Sequence, residues 1–330
     1  MRLVSLVTHL PSGRLSTEDI IMAAGNSPAE ARVFRRMFGI DQVAVFPECE
    51  TIAVSFERLA ESLAAAHDGP RPDAVIYAHG QPLQHPSGRS PIHILCRDHP
   101  FFSDVMRRYE VDQHNCGGLF WALDLARTLL RAGLSRSIAV VGGDSHVGLP
   151  PGDRYVPGCT LMGDAFCAMI VDDAPGGLQL GPIALQTYPE FARGRAGTSA
   201  EMGAFFAAHS GIVCKALDGA GFDWTGNAPL LPHNVNRLAW RQFCRETGLA
   251  EAQVRLGLLP DIGHCYTCDP FLLLDRERHG LALGQSCMTI SIGMGGYAGA
   301  CKVTRATASA PGTTDSHDTE TCTCSQPILF

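Results

Sequence analysis

One thiol, two imidazoles and a glycine-rich turn are the residues of this sequence whose types and placement could do chemistry together. Cys116 stands in VDQHNCGGLFWALDLARTLLRAG, after a short polar turn and at the start of an apolar helical stretch. Unpaired backbone N–H groups and the helix dipole at such a start favour a thiolate. His233 stands in LLPHNVNRLAWRQF, between a strand end and a helix, and His264 in LPDIGHCYTCDPFLLLD, directly after Gly263. SIGMGGYAG gathers Gly293, Gly295 and Gly296 into one turn with unhindered backbone N–H groups. A thiolate that attacks an acyl group, amides that hold the oxyanion and imidazoles that donate or accept hydrogen bonds together make thioester exchange. Each piece also has a plainer reading. Cysteine is among the most buried residue types, His233 could cap its helix, and the glycines could close a hairpin. Their joint occurrence carries the chemical reading.

The elements that must position these residues follow from the hydrophobic pattern. Residues 2–8 alternate as a first strand, and DAVIYAH at 73–79, SIAVVG at 137–142 and DAFCAMIV at 164–171 are continuous apolar runs of strands buried on both faces. Residues 17–38 read as a helix in two pieces, with Thr17 as its cap, and residues 52–66 as a stronger one. A short helix is expected over residues 101–109, leading to the Cys116 turn, whose helix Asp112 and Asn115 would start. Residues 81–91 and 145–163 read as loops rich in glycine and proline, long enough to be functional. From Leu178 a second set begins: helices over 203–217, 236–247 and 268–278, and strands over 230–232, 286–293 and 299–304. Buried strands alternating with helices give an α/β layered architecture, and the order of elements suggests two similar halves, 1–175 and 176–305. Residues 306–330, poor in core types, read as a flexible tail.

Composition bounds the partners. With 330 residues, 45% apolar and 18% charged, the chain can bury a substantial core. Its net charge of −7 argues against general nucleic-acid binding, and no run of apolar residues is long enough to span a membrane. Thirteen cysteines are many, but Cys159, Cys167, Cys214, Cys287 and Cys301 lie in apolar segments, not at framework spacings. They read as reduced core residues of a cytoplasmic protein. Cys265 and Cys268 beside His264, with Cys322 and Cys324 in the tail, do not make a tetrahedral zinc set, so neither metal nor cofactor is expected.

At the motifs the sequence resembles the thiolase superfamily, and within it the ketoacyl-acyl-carrier-protein synthase III-like enzymes. HNCGGLFWAL matches the family's nucleophile turn at Cys116, and PHNVN its histidine motif at His233 and Asn236. GMGGYAGACKVTR is similar to its closing glycine-rich hairpin, and MGDAFCAMIV echoes its segment after the long loop at Gly163 and Asp164. The departure is GHCYTCDP, which puts His264 where the family has asparagine and keeps Pro270. The resemblance implies a five-layered αβαβα fold of two similar halves, a homodimer, and acyl transfer from acyl-CoA or an acyl carrier protein through an acyl-Cys116 intermediate. Decarboxylative condensation with a malonyl-type thioester is its leading expectation. His233 and His264 would then steady the enolate, with the amides of Cys116 and Gly295 as the oxyanion hole. Transfer to a hydroxyl or amine from the same acyl-cysteine is the alternative, with a histidine as base on the acceptor. A non-catalytic partner subunit is a third. Arg237, Arg241 and Arg245 form a basic stripe beside Asn236, where a carrier protein or substrate could dock, or where a solvated helix face would lie.

Overall fold

The apolar runs that read as strands buried on both faces do run through the middle of a sheet. In the computed structural model, which describes residues 1–81 and 90–306, the strands in chain order are β1 Arg2–His9, β2 Gly13–Ser16, β3 Gln42–Val45, β4 Ala74–Ala78 and β5 Arg107–Val111. They continue with β6 Ser137–Asp144, β7 Tyr155–Val156, β8 Thr160–Leu161, β9 Ala165–Asp172, β10 Leu178–Thr187, β11 Leu230–Pro232, β12 Ser286–Gly293 and β13 Tyr297–Arg305. The helices are α1 Thr17–Ala23, α2 Pro28–Val33, α3 Ile52–Ala65, α4 Pro91–Asp98 and α5 Gly118–Arg131. Then come α6 Ser199–Gly219, α7 Arg237–Thr247, α8 Leu259–Ile262 and α9 Asp269–Glu277.

Nine of these strands form one mixed sheet in the order β11-β12-β13-β10-β1-β9-β6-β4-β5. β4 runs parallel to β5 and β6, and β11 parallel to β12; the other neighbours are antiparallel. Among the described residues, strands up to Asp172 pair with strands from Leu178 where Arg2 and Leu3 meet Gln179 and Leu178. The alternation of side chains sorts the residues of each set to opposite faces. Val75, Tyr77, Val141 and Ile170 pack under α3 and α4, while Ile76, Val140 and Met169 pack on α5 and α9. In the second set Ile290, Ile292 and Ala300 lie under α6 and α7, and Cys287, Cys301 and Val303 return to the α5–α9 layer. The result is five layers, αβαβα, with α5 and α9 in the middle and Phe120 and Phe271 in contact at 5.7 Å between ring centroids. The central helix lies close on the sheet: a Cβ on Gly299 would sit 2.5 Å from Phe120 Cβ.

Three local expectations are corrected. Residues 101–109 are not helical; a 3-10 turn at Pro100–Phe102 is followed by the edge strand β5, whose Arg107–Val111 alternate half-buried and exposed as an edge requires. Thr17 is not the cap of α1. Ser16 accepts from the Asp19 amide, and the buried Thr17 hydroxyl donates to the Ile40 carbonyl at 2.8 Å. Asp112 and Asn115 do not cap α5, which begins at Gly118 after a 3-10 turn at Asn115–Gly117. Residues 145–163 are ordered by the turn Pro151–Arg154 and the β7–β8 hairpin. Most of the loop expected at 81–91, and the tail beyond residue 306, lie outside the described residues. Among the described residues no helix is long and apolar enough to cross a membrane.

Candidate active site

Three segments distant in sequence close around Cys116. The chain leaves the edge strand β5 and Asn115 takes a left-handed conformation with φ of 47°. Cys116 therefore stands on a sharp turn just ahead of α5 and not within it. The Asn115 side-chain amide donates to the Met294 carbonyl, tying this turn to the glycine-rich one after β12. The Leu119 amide, an N–H of the first turn of α5, is satisfied from outside by the buried Thr267 hydroxyl at 2.8 Å. Gly293 must be glycine here: a Cβ on it would lie 2.4 Å from the His114 carbonyl oxygen and 3.3 Å from the Cys116 nitrogen.

His264 Nε2 lies 3.0 Å from Cys116 Sγ, with both residues buried. The loop carrying His264 is fixed by its amide, which donates to Leu161 O at 2.9 Å, and by its carbonyl, which accepts from the Gly163 amide at 2.9 Å. On the other side of the ring, Nδ1 donates to Asp269 Oδ2. Asp269 is fully buried at the start of α9. Its Oδ1 accepts from the Cys265 amide at 2.8 Å and from Asn234 Nδ2 at 3.3 Å, and its Oδ2 accepts from the Asn234 amide at 2.6 Å. Burial opposes charge on His264, but the Cys116 sulfur and the Asp269 carboxylate outweigh it and raise the imidazole to about 10. A cysteine, a histidine and a carboxylate thus stand in one hydrogen-bonded chain. Sequence reasoning missed Asp269. Its signal was an acidic residue ahead of Pro270 at a helix start, where a carboxylate is favoured.

His233 joins the site through its ring, whose centroid is 6.0 Å from that of His264. Its amide donates to Ile290 O at 3.0 Å and its carbonyl accepts from Trp240 Nε1 at 3.1 Å. Burial, and then the neighbouring His209 and His264, push its imidazole well below the ordinary histidine range, so the ring is neutral. Gly295 lies on the glycine-rich turn that Asn115 ties to the Cys116 turn. It lines a separate small hollow with Phe191, Arg193 and Met202, whereas Gly293 abuts the Cys116 amide.

Cys116, His233 and His264 line one cavity of about 500 Å³, walled largely by apolar groups such as Val156, Phe205, Phe206 and Met294. Asn236 lines it too, but its amide is used in building. Oδ1 accepts from the Ala239 amide at 2.7 Å as the cap of α7, and Nδ2 donates to Cys159 O at 2.9 Å, holding the β7–β8 hairpin. The basic stripe does not face the cavity. Leu238, Ala239 and Gln242 do, while Arg237 donates to Arg36 O at 2.6 Å and Arg241 meets Glu251 at 3.3 Å. The arginine among the cavity's lining residues is Arg195, which the sequence reading passed over. Asp164 is structural. It takes Arg154 through two bonds of 2.8 Å and the His146 amide at 2.9 Å. Burial pushes its carboxyl up, but the bonds from His146 and Arg154 prevail and hold it down to about 2. Cys265 and Cys268 pack in the core, the latter 3.6 Å from Cys167 Sγ. Among the described residues no group of three or more His, Cys, Asp or Glu side chains could hold a metal.

No family model matches the chain, and no curated protein sequence does. Solved structures do match it over nearly its full length. The acyltransferase ChlB3 superposes with a TM-score of 0.77 at 22% identity, over 93% of this chain and 98% of its own. The 3-oxoacyl-[acyl-carrier-protein] synthase III of Aquifex aeolicus VF5 gives 0.75 at 16%, over 92% and 99%. OleA of Xanthomonas campestris gives 0.74 at 13%, over 92% and 98%. The chain has the thiolase fold, in the form carried by the synthase III proteins.

Proposed function

We propose that the protein transfers an acyl group from a thioester, through acyl-Cys116, to a hydroxyl or amine of a small acceptor. The observation that carries this reading is the chain Cys116–His264–Asp269. A carboxylate that accepts from Nδ1 fixes the neutral imidazole as the Nδ1–H tautomer and leaves a lone pair at Nε2. In the first half, the Cys116 thiol proton rests on Nε2 and the sulfur attacks the thioester carbon. The oxyanion is held by the Cys116 backbone N–H and a donor from the His233 ring. Collapse of that intermediate expels the donor thiolate, which takes the proton from Nε2. The carbonyl is now on Cys116 and Nε2 is again a base beside it. In the second half, the acceptor O–H or N–H gives its proton to Nε2 as its heteroatom bonds to the acyl carbon. The C–S bond breaks, and the sulfur regains its protonated partner.

Condensation, the leading expectation from sequence, asks the opposite of His264. A thioester enolate is steadied by N–H donors; once acylation removes the Cys116 charge that helps hold His264 protonated, a neutral His264 paired to Asp269 offers none from Nε2. His233, neutral and facing the cavity, is the observation that favours condensation as the second reading. The likeness to ChlB3, an acyltransferase, agrees with transfer. Acyl-CoA and acyl-carrier thioesters are the proposed donors. Incubation with each, followed by intact-mass measurement, should show one acyl adduct that is absent in Cys116→Ala. An adduct that persists in Cys116→Ala removes the nucleophile. Release of labelled carbon dioxide from a malonyl thioester in step with product would replace transfer by condensation.

A further inference from the structure

His209, on α6, places its ring 5.8 Å from that of His233 between centroids, tilted by 50°. Trp240 braces both, meeting His209 edge-on at 5.3 Å and His233 at 5.4 Å. Both histidines are more than nine-tenths buried. Among the described residues, His209 Nε2 and His233 Nδ1 are buried nitrogens without a hydrogen-bond partner. Buried polar atoms left alone are rare because desolvating them is costly. Here the two stand on neighbouring rings. Burial keeps both rings neutral, with His209 held down to about 4. A neutral imidazole carries one N–H, so in such a contact one nitrogen donates and the other accepts.

We infer that His209 is a positioning residue: its Nε2–H donates to His233 Nδ1, which fixes His233 as the Nε2–H tautomer and aims that N–H at the acyl carbonyl in the cavity. The role given to that N–H rests on the acyl-transfer reading of the Cys116 site. The other tautomer of His233 would present a lone pair to the cavity beside the lone pair of His264 Nε2, and the oxyanion would lose a donor. The partner of one ring nitrogen deciding what the other does is the usual way a buried histidine is set.

The test reads the tautomer without turnover. Long-range proton–nitrogen spectra of the full chain, labelled in histidine and assigned with His233→Gln, report which nitrogen of His233 carries hydrogen. The wild type should show Nε2–H, and so should His209→Gln, whose amide can still donate. His209→Met should show a mixture, and acyl transfer from Cys116 to an amine should fall about tenfold, the effect of one misplaced hydrogen bond, and return in His209→Gln. Should His209→Met not fold, His209→Asn, too short to reach His233, takes its place with the same expectation. An Nδ1–H His233 in the wild type, or a tautomer unmoved in His209→Met or His209→Asn, overturns the assignment. A protein that shows the Nε2–H tautomer yet transfers no acyl group would refute the transfer reading and leave the tautomer standing.

Discussion

Replacing Asp269 by asparagine separates the two chemistries this fold could run. The carboxylate accepts from four donors: His264 Nδ1, the amides of Cys265 and Asn234, and Asn234 Nδ2. An asparagine has one acceptor oxygen, so its NH2 must face donors whichever way it is turned. With NH2 in place of Oδ2 it donates to His264 Nδ1, forces hydrogen onto Nε2 and abolishes the base. With NH2 in place of Oδ1 the tautomer survives, but the charge behind the imidazolium is gone and the Cys265 amide loses its partner. Either orientation leaves a buried donor unsatisfied, at about 1–3 kcal/mol of stability.

For transfer, the second half-reaction should slow by roughly 10²–10⁴, the range seen when a positioned base or its tautomer is lost. Rapid-quench intact-mass measurements would follow two rates: appearance of acyl-Cys116 and its decay on adding an amine or alcohol. The decay rate should carry most of the loss. For condensation the sign reverses, because an Nε2–H imidazole is the better enolate donor, so Asp269→Asn would keep or gain carbon dioxide release. Decay by acceptor within threefold of wild type in a folded Asp269→Asn would refute the tautomer argument.

Other expectations follow from the same geometry. Gly293→Ala brings a Cβ 2.4 Å from His114 O and 3.3 Å from the Cys116 nitrogen. It should cut Cys116 acylation roughly a hundredfold, as loss of one oxyanion donor does, with a lower melting temperature; normal acylation would mean the Cys116 amide is not used. Asn236→Ala removes a helix cap worth about 1 kcal/mol and frees the β7–β8 hairpin. KM for the donor should rise more than kcat falls, which steady-state kinetics would check. Asp164, held down to about 2, lends stability that is full above its unfolded value near 4 and lost as pH falls through about 2. That is about 2 kcal/mol. Acid denaturation should show this loss between pH 4 and 2, and Asp164→Asn should lower stability at pH 7 and flatten that window.

How much of this was legible in the sequence depends on what kind of signal each residue leaves. The apolar runs 74–78 and 138–141 give strands on both-faced burial alone, so the layers follow from local pattern. Cys116 and His233 were marked by the turns and helix starts around them. The arginine stripe of α7 was visible, but which arc of that helix faces the cavity depends on neighbours contributed by other segments. The strand at 107–111 was hidden because an edge strand with arginine, tyrosine and glutamate alternating carries little apolar signal. His209 left none: a histidine within a long helix reads like any other until the fold brings it to His233, 24 residues on in sequence (233 minus 209).

Asp269 has the deeper reason. Its role exists only through the ring it touches, which the loop ahead of α9, fixed by the His264 backbone bonds to Leu161 and Gly163, carries between the carboxylate and the sulfur. Its place on α9 explains why the arrangement is stiff. α9 lies in the central layer, its body from Pro270 to Leu274 is buried, and its N-terminus favours a carboxylate. An asparagine at position 264 would have no ring to relay a proton, and a histidine there without Asp269 would be free to choose its tautomer. On the transfer reading, the two together leave Nε2 free to accept once Cys116 is acylated. That reading turns on the partner of a nitrogen that faces away from the substrate, and not on the cysteine common to either chemistry.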